Sequence, residues 1–244
     1  MNIRRKLRTN STARSLRERL NSFNEISNSP FESLVRHIHK FKITCLVDVG
    51  ANVGQFGLDM RRHGYGGQIV SFEPVAETFN ELSGTVKYDQ LWSAFQIGLG
   101  SNESVKTINI SGNDGLSSSL FEMKSTHITN FPESRNISTQ KVKIFSLDAQ
   151  LKTLGIDPQS ILLKIDVQGY EAEVLKGASL ALSKIPLCYL EVSLQPLYEG
   201  EMALLPILNM LSVDGHEVID IYRGIKSTNG DLLQLDILTK LSSI

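Results

Sequence analysis

The sequence predicts an α/β domain: a mostly parallel central sheet with helices on both faces and an antiparallel hairpin at one edge. Three observations predict it. Short continuous apolar runs, as strands covered on both faces require, recur along the chain. Segments with apolar residues at helical spacing separate most of them. The last two strand-like runs follow one another with no helix between, which suits a hairpin at the sheet edge.

In chain order, Ser27-Asn28-Ser29-Pro30 closes a polar opening segment, residues 1–30, and sets it apart from a domain over 31–244. Phe31, Leu34, Val35 and Ile38 share one helical face, so a docking helix over Phe31–Lys40 precedes the core. Ile43–Val49 is the first buried strand, followed by a helix from Val53 to His63 that Gly64–Gly67 ends. Gln68–Phe72 is the second strand. Pro74 cannot continue a ladder and suits the first turn of a helix over Val75–Ser83. Trp92–Ile97 reads as a third strand. Val105–Ile110 and Val142–Phe145 then alternate apolar with polar, as half-exposed antiparallel strands do, marking an insertion around 104–146. The polar stretch between them, Ser111–Asn136, is too long for a simple connection. Regular alternation resumes with strand Ile161–Val167, helix Gly169–Gly177, strand Leu187–Val192 and helix Met202–Leu211. Strands Glu217–Tyr222 and Leu232–Leu238 finish the chain.

A chain of 244 residues holds one such domain comfortably, and its 41% hydrophobic and 21% charged residues are ordinary for a globular protein. No apolar run approaches the roughly 18–20 residues of a membrane span, and no apolar stretch near the start resembles a secretory signal. Cys45 and Cys188 both lie in apolar runs and read as reduced, buried and inert, so the expected location is cytoplasmic. The net charge of −1 argues against bulk attraction to nucleic acid, but it is unevenly spread. Residues 1–20 hold seven basic side chains against Glu18, leaving the other 224 residues at −7. This head is either a solvated segment or a contact for an anionic partner such as lipid headgroups at the inner membrane surface. Its Arg-rich, acid-poor composition also fits a transit peptide.

The strongest chemical signal is Val47-Asp48-Val49-Gly50-Ala51-Asn52-Val53-Gly54, at the junction of the first strand and the next helix. Ligands of open α/β sheets bind beyond the carboxyl ends of the strands, near the reversal in strand order. Gly50 allows a sharp turn and Gly54 a close approach of helix and strand. The spacing G-x-x-x-G differs from the G-x-G-x-x-G that seats a dinucleotide pyrophosphate, and Asp48 would repel a phosphate. An acid there suits an ammonium-bearing ligand such as the methionyl end of S-adenosylmethionine. Glu73, at the end of the second strand, is placed to accept both ribose hydroxyls. Asp166 closes the central strand, beside the place where a donor methyl and an incoming hydroxyl would meet. Glu191 is an acid inside an apolar strand, costly unless paired, and reads as lining the same cleft.

With these residues in place, the sequence resembles the FkbM-type methyltransferase family. The resemblance rests on Asp48–Phe56, Phe72-Glu73-Pro74, Lys164–Gly169, Glu173–Ala178 and Gln234-Leu235-Asp236, in that order across residues 44–239. It implies a Rossmann-like class I methyltransferase fold and O-methylation by S-adenosylmethionine, commonly on sugars, glycolipids or secondary metabolites. Carried onto this chain, it implies a donor site from Asp48, Gly50, Ala51, Asn52, Gly54, Glu73, Pro74 and Gly98, with Asp166 facing the transferred methyl. Leu116–Leu120 resembles the polar loop such proteins carry near the active site. The chain departs from the pattern after the third strand, where an acid for the adenine amino group is replaced by Ser101 and Asn102.

A sugar hydroxyl is a poor nucleophile at neutral pH, so a base is expected: Asp166 first, Glu191 second, and the loop residue His127 third, although a lone loop histidine is usually a surface residue. A divalent metal would lower the hydroxyl's pKa, but no cluster in the sequence has metal-ligand spacing. Nucleic acid is not the expected substrate: there is no basic–aromatic stripe, no paired prolines before an aromatic residue, and no Pro-Cys pair. Two readings from other classes are opposed by particular residues. The glycine spacing speaks against an NAD-linked oxidoreductase, and a non-catalytic donor-binding protein leaves the acids at both Asp166 and Glu191 without a purpose. Among enzymes, the alternative acceptor is a small secondary metabolite.

Overall fold

The structure is a computed structural model that describes residues 30–242. The basic segment expected over residues 1–30 lies outside the described residues except for Pro30. The chain enters with α1 (Pro30–Lys40), then runs β1 (Cys45–Val49), α2 (Gln55–Arg62), β2 (Gln68–Phe72), α3 (Ala76–Val86) and β3 (Trp92–Phe95). After an excursion through β4 (Gly98–Leu99), β5 (Ser104–Ser111), α4 (Ser125–Asn130) and β6 (Asn136–Phe145), it returns through α5 (Leu147–Leu154) to β7 (Ile161–Ile165). It ends with α6 (Glu171–Lys176), β8 (Leu187–Ser193), α7 (Leu204–Val213), β9 (His216–Arg223) and β10 (Gln234–Leu241).

Seven strands form the main sheet in the order β3-β2-β1-β7-β8-β10-β9. The pairs from β3 through β8 are parallel, whereas β10 runs antiparallel to both β8 and β9. Strand order therefore reverses between β1 and β7, which opens a crevice at their carboxyl ends. The final hairpin does lie at the edge, with β10 inserted against β8 and β9 outermost.

Both faces of the sheet are packed. One face buries Val47 and Val49 of β1 with Leu163 and Ile165 of β7 and Leu190 of β8. The other buries Leu46, Leu162, Leu187, Tyr189 and Leu238 under Leu34 of α1 and Met60 of α2. This explains the near-continuous apolar runs, since a strand covered on both faces needs no polar alternation.

Three local features differ from the sequence expectation. The third strand stops at Phe95, because Gly98-Leu99 leaves the main sheet and pairs in parallel with β6. A side chain at Gly98 would collide with Ile144 of β6, so glycine permits the crossing. Helix α5 was not anticipated: Ser146 caps it through Ala149 N–H, and Leu147 and Leu151 bury its inner face. The long polar stretch is also more structured than expected, holding α4 and a 3₁₀ turn at Pro132–Ser134.

Candidate active site

A cleft of about 470 Å³ lies at the carboxyl ends of β1, β2, β7 and β8, inside the usual size range of small-molecule sites. Its floor begins where β1 turns into α2. Gly50 has φ +75°, and a Cβ there would lie 1.9 Å from the Asp166 carbonyl oxygen, so the β1 and β7 ends approach this closely only with glycine. Gly50 and Ala51 donate their N–H groups to the Phe72 carbonyl at 3.0 and 3.1 Å, fastening the turn across the end of β2. Asn52 follows in the left-handed region at φ +49° and donates its N–H to Glu73 Oε2 at 3.0 Å. Glu73 Oε1 accepts from Val75 N–H at 2.9 Å. Burial pushes the Glu73 carboxyl up to about 7 even though two backbone N–H groups favour its charge. Each of its oxygens keeps a further lone pair, and the residue lines the cleft.

Beneath this floor, Asp48 and Lys164 are direct register partners on β1 and β7. Lys164 Nζ lies 2.9 Å from Asp48 Oδ1, donates to the Gly50 carbonyl at 2.8 Å, and stands 3.8 Å from Asp166 Oδ2. Burial alone would lower the lysine, but the Asp48 and Asp166 carboxylates outweigh it and hold its pKa above the ordinary value. Burial raises Asp48 in turn, with Lys164 opposing. The Asp48 side chain is wholly buried and does not line the cleft. The group it meets in the structure is Lys164, an ion-pair partner inside the sheet, where the sequence suggested a ligand ammonium.

The far end of the cleft is acidic. Asp166 is the most open of its acids there, with the side chain 36% exposed. Glu191 on β8 and Asp236 on β10 face each other in register. Burial, then the Asp166 and Asp236 charges, raise Glu191 well above the carboxylate range. Burial also takes Asp236 up to about 6, with the Tyr189 hydroxyl opposing. Gln168 donates its Nε2 to Asp166 Oδ1 at 2.9 Å and to Glu191 Oε2 at 3.0 Å, and Gln234 Nε2 donates to the same Glu191 oxygen at 2.9 Å. Glu171, buried and pushed up to about 8 by burial, braces the turn by accepting Val167 and Gly169 N–H. Phe31, Phe56 and Tyr189 wall this end, with adjacent ring centroids 5.4 Å apart. From above, Leu116, Ser118 and Leu120 cover the cleft.

The structure thus brings Gly50, Ala51, Asn52, Glu73, Pro74, Gly98, Asp166 and Glu191 to one cleft, and leaves Asp48 and Gly54 outside its lining. Gly54, at φ +95°, packs instead against Leu82, Thr85 and Trp92, where a side chain would crowd α3 and β3. Ser101 and Asn102 also lie away from the cleft. His127 is neither at the surface nor in the cleft. It is 2% exposed, packed against Phe131 and Tyr198, with both ring nitrogens unpartnered. Sequence reasoning gave no role to Lys164 or Gln168, although a lysine inside an apolar strand is itself a sign of a buried partner. Among the described residues, no three His, Cys, Asp or Glu side chains come together as a metal site.

Comparison with known proteins bears on this cleft. Residues 48–222 match the model of the methyltransferase FkbM domain. The 2-O-methyltransferase NoeI of Sinorhizobium fredii is 28% identical over 213 residues, 81% of this chain and 85% of that protein. The methyltransferase sdnD of Sordaria araneosa is 29% identical over 153 residues, 54% of this chain and 59% of that one. Among solved structures, fibrillarin of Aeropyrum pernix with S-adenosyl-L-methionine bound has a TM-score of 0.44 at 13% identity, covering 80% of this chain and 66% of that one.

Proposed function

The chain belongs to the methyltransferase FkbM family, and from that premise we propose that it methylates a hydroxyl of a sugar, glycan or glycolipid. It is an S-adenosylmethionine-dependent methyltransferase on a Rossmann-like class I fold. One observation carries the acceptor reading: the acidic end of the cleft combines Asp166, Glu191 and Asp236 with the rings of Phe31, Phe56 and Tyr189. A sugar offers hydroxyl donors around its rim and apolar C–H faces, so it meets both kinds of wall at once. The name of the Sinorhizobium relative, a 2-O-methyltransferase, supports transfer to oxygen.

The other half of the cleft suits the donor. Glu73 would accept the ribose hydroxyls on its spare lone pairs, next to the Gly50-Ala51-Asn52 backbone. Pro74, Val75, Leu99 and Ile108, with Gly98 between them, form an apolar slot for the adenine. Bound there, S-adenosylmethionine supplies a methyl group already activated by its sulfonium. Positioning then provides much of the acceleration. Asp166 takes the proton of the acceptor hydroxyl, because it is open to the cleft and has a cation 3.8 Å away. Burial, then its acidic neighbours Asp166 and Asp236, raise Glu191 and favour its protonated form. Its Oε2 accepts both amide donors, leaving Oε1 to hydrogen-bond the acceptor.

The test is a methyl-transfer assay with labelled donor across glycolipid, nucleotide-sugar and small-metabolite fractions of the source cell. Label in a sugar-bearing fraction is the expected result. Label confined to a metabolite without sugar overturns the acceptor and leaves the methyltransferase. We propose further that the enzyme is cytoplasmic and that its basic residues 1–20 meet anionic lipid headgroups. Sedimentation with anionic vesicles that is unchanged after deleting residues 1–20 ends that idea.

A further inference from the structure

The turn after β7 contains a residue whose side chain and backbone are held from four directions. Gln168 has φ +54°, a conformation that costs a non-glycine residue about 1 kcal/mol or more unless its surroundings enforce it. Its Nε2 donates to Asp166 Oδ1 at 2.9 Å and to Glu191 Oε2 at 3.0 Å. Its Oε1 accepts from the Tyr198 hydroxyl at 2.9 Å, and its carbonyl accepts from Ser119 Oγ at 2.6 Å. The two acids fix the amide's orientation, since a flip would turn its oxygen toward Asp166 and Glu191.

Two of those partners belong to the covering segment or reach it. Ser119 lies in that segment, one residue from the cleft-lining Ser118 and Leu120. Tyr198, fully buried, lies 3.2 Å from the Ser117 carbonyl through the same hydroxyl that meets Gln168. Its ring also fills the space beside Gly169, where a Cβ would approach within 3.0 Å. The cover, Tyr198 and the turn are therefore one hydrogen-bonded unit that ends on the acid pair.

We infer that Gln168 is a positioning residue for methyl transfer: its amide fixes the Asp166–Glu191 pair in one arrangement and ties that arrangement to the segment covering the cleft. The inference rests on the reading of Asp166 as the base. The amide supplies one N–H to each of two neighbouring acids, so it offsets their mutual repulsion and sets where each oxygen points. The other charged groups around the pair are Lys164 of β7, Asp236 of β10 and Glu171 of α6, and a change at Gln168 leaves all three in place. Opening the cover would pull on Gln168 through Ser119 and Tyr198, so the acids are correctly set only when the cleft is closed.

The experiment uses the full-length chain with carboxyl-¹³C-labelled Asp and Glu, titrated by NMR, with resonances assigned from D166N and E191Q. Hydrogen exchange of residues 112–120 and calorimetric binding of S-adenosylhomocysteine are measured alongside. In Gln168→Leu, loss of the N–H donor to Glu191 should move the Glu191 titration upward by about one pH unit. Exchange of the cover should quicken several-fold, while S-adenosylhomocysteine affinity stays within about threefold. Tyr198→Phe, which keeps the ring and loses only the hydroxyl, should shift both readouts in the same direction by less. Faster exchange with an unmoved carboxyl titration in folded Gln168→Leu and Tyr198→Phe would reduce Gln168 to a structural brace and overturn the inference. Near-normal methyl transfer by D166N would instead remove the base while the titration result stood, so the two failures are told apart.

Discussion

Replacing Glu73 with Gln is the sharpest probe of the donor site, because charge and shape separate there. The amide keeps one oxygen acceptor, so one of the two backbone N–H bonds, at 3.0 and 2.9 Å, can persist. What disappears is a charged acceptor for the ribose hydroxyls. A hydrogen bond to a charged group contributes about 1.5–3 kcal/mol, so loss of one weakens donor affinity roughly 10- to 150-fold. The carboxyl sits at about 7 in the free protein, raised by burial. Donor hydroxyls favour its ionised form, so binding releases a proton, and wild-type affinity rises with pH. Between pH 8 and pH 6 it should fall by nearly tenfold, whereas Glu73→Gln should be flat.

Stability runs the opposite way. A carboxyl whose folded value lies above its ordinary 4.5 stabilises the fold while protonated. That contribution is present below 4.5 and lost as pH rises through 7, about 3 kcal/mol in all. Without ligand, the wild type should therefore lose more melting temperature between pH 5 and 8 than Glu73→Gln does. Calorimetry with S-adenosylhomocysteine at pH 6, 7 and 8, in buffers of two ionisation enthalpies, measures affinity and proton release together. A Glu73→Gln affinity within twofold of wild type at pH 8, with no proton release in either protein, would refute the assignment.

Other expectations follow from the same contacts. Gly50→Ala forces a methyl to 1.9 Å from the Asp166 carbonyl at φ +75°, and should cost about 3 kcal/mol or more in a denaturant melt. Asp48→Asn strands the buried Lys164 and should cost about 3–5 kcal/mol, whereas the double change Asp48→Leu with Lys164→Met should recover most of it. Asp166→Asn should lower turnover about 10²- to 10⁴-fold on the fraction identified by the labelled-donor assay, with S-adenosylhomocysteine affinity little changed. Burial holds His127 below its ordinary 6.5, so protonation favours the unfolded chain and stability is lost as pH falls through 6.5. His127→Phe also removes two unpartnered nitrogens, and its melting temperature should exceed wild type by more at pH 5.5 than at pH 8.

Much of this fold was legible because buried parallel strands announce themselves as short apolar runs, and Glu73-Pro74 marks a strand end by proline chemistry. Helix α5 was not, because its eight residues expose a polar face and bury only Leu147 and Leu151. Glu73 and Asp166 could be placed in the cleft from their positions at strand ends, and Glu191 because an acid inside an apolar strand calls for polar surroundings. Asp48 could not. Its fate depends on register with β7, and register between distant strands is set by tertiary packing rather than by local pattern. His127 shows the same limit: a polar neighbourhood in sequence says nothing about the Phe131 and Tyr198 rings that enclose it.

Register also explains why the chemistry sits where it does. Side chains alternate along a strand, and neighbours in register share a face. Leu46 and Asp48 of β1, Leu162 and Lys164 of β7, and Tyr189 and Glu191 of β8 all lie on the face beneath α1 and α2. Leu238 and Asp236 of β10, which runs the other way, continue the row. On the parallel strands the apolar residue lies toward the sheet's middle and the charged one toward the carboxyl end, and on β10 Asp236 reaches the same edge from its amino end. A single step of two residues thus carries the sheet from dry core to a band of ionisable groups. Three of those groups are carboxylates whose charges burial disfavours, and one lysine cannot neutralise them all. The band is therefore a costly arrangement for a protein that only had to fold. It becomes intelligible where proton transfer and hydroxyl recognition are the work of the cleft above it.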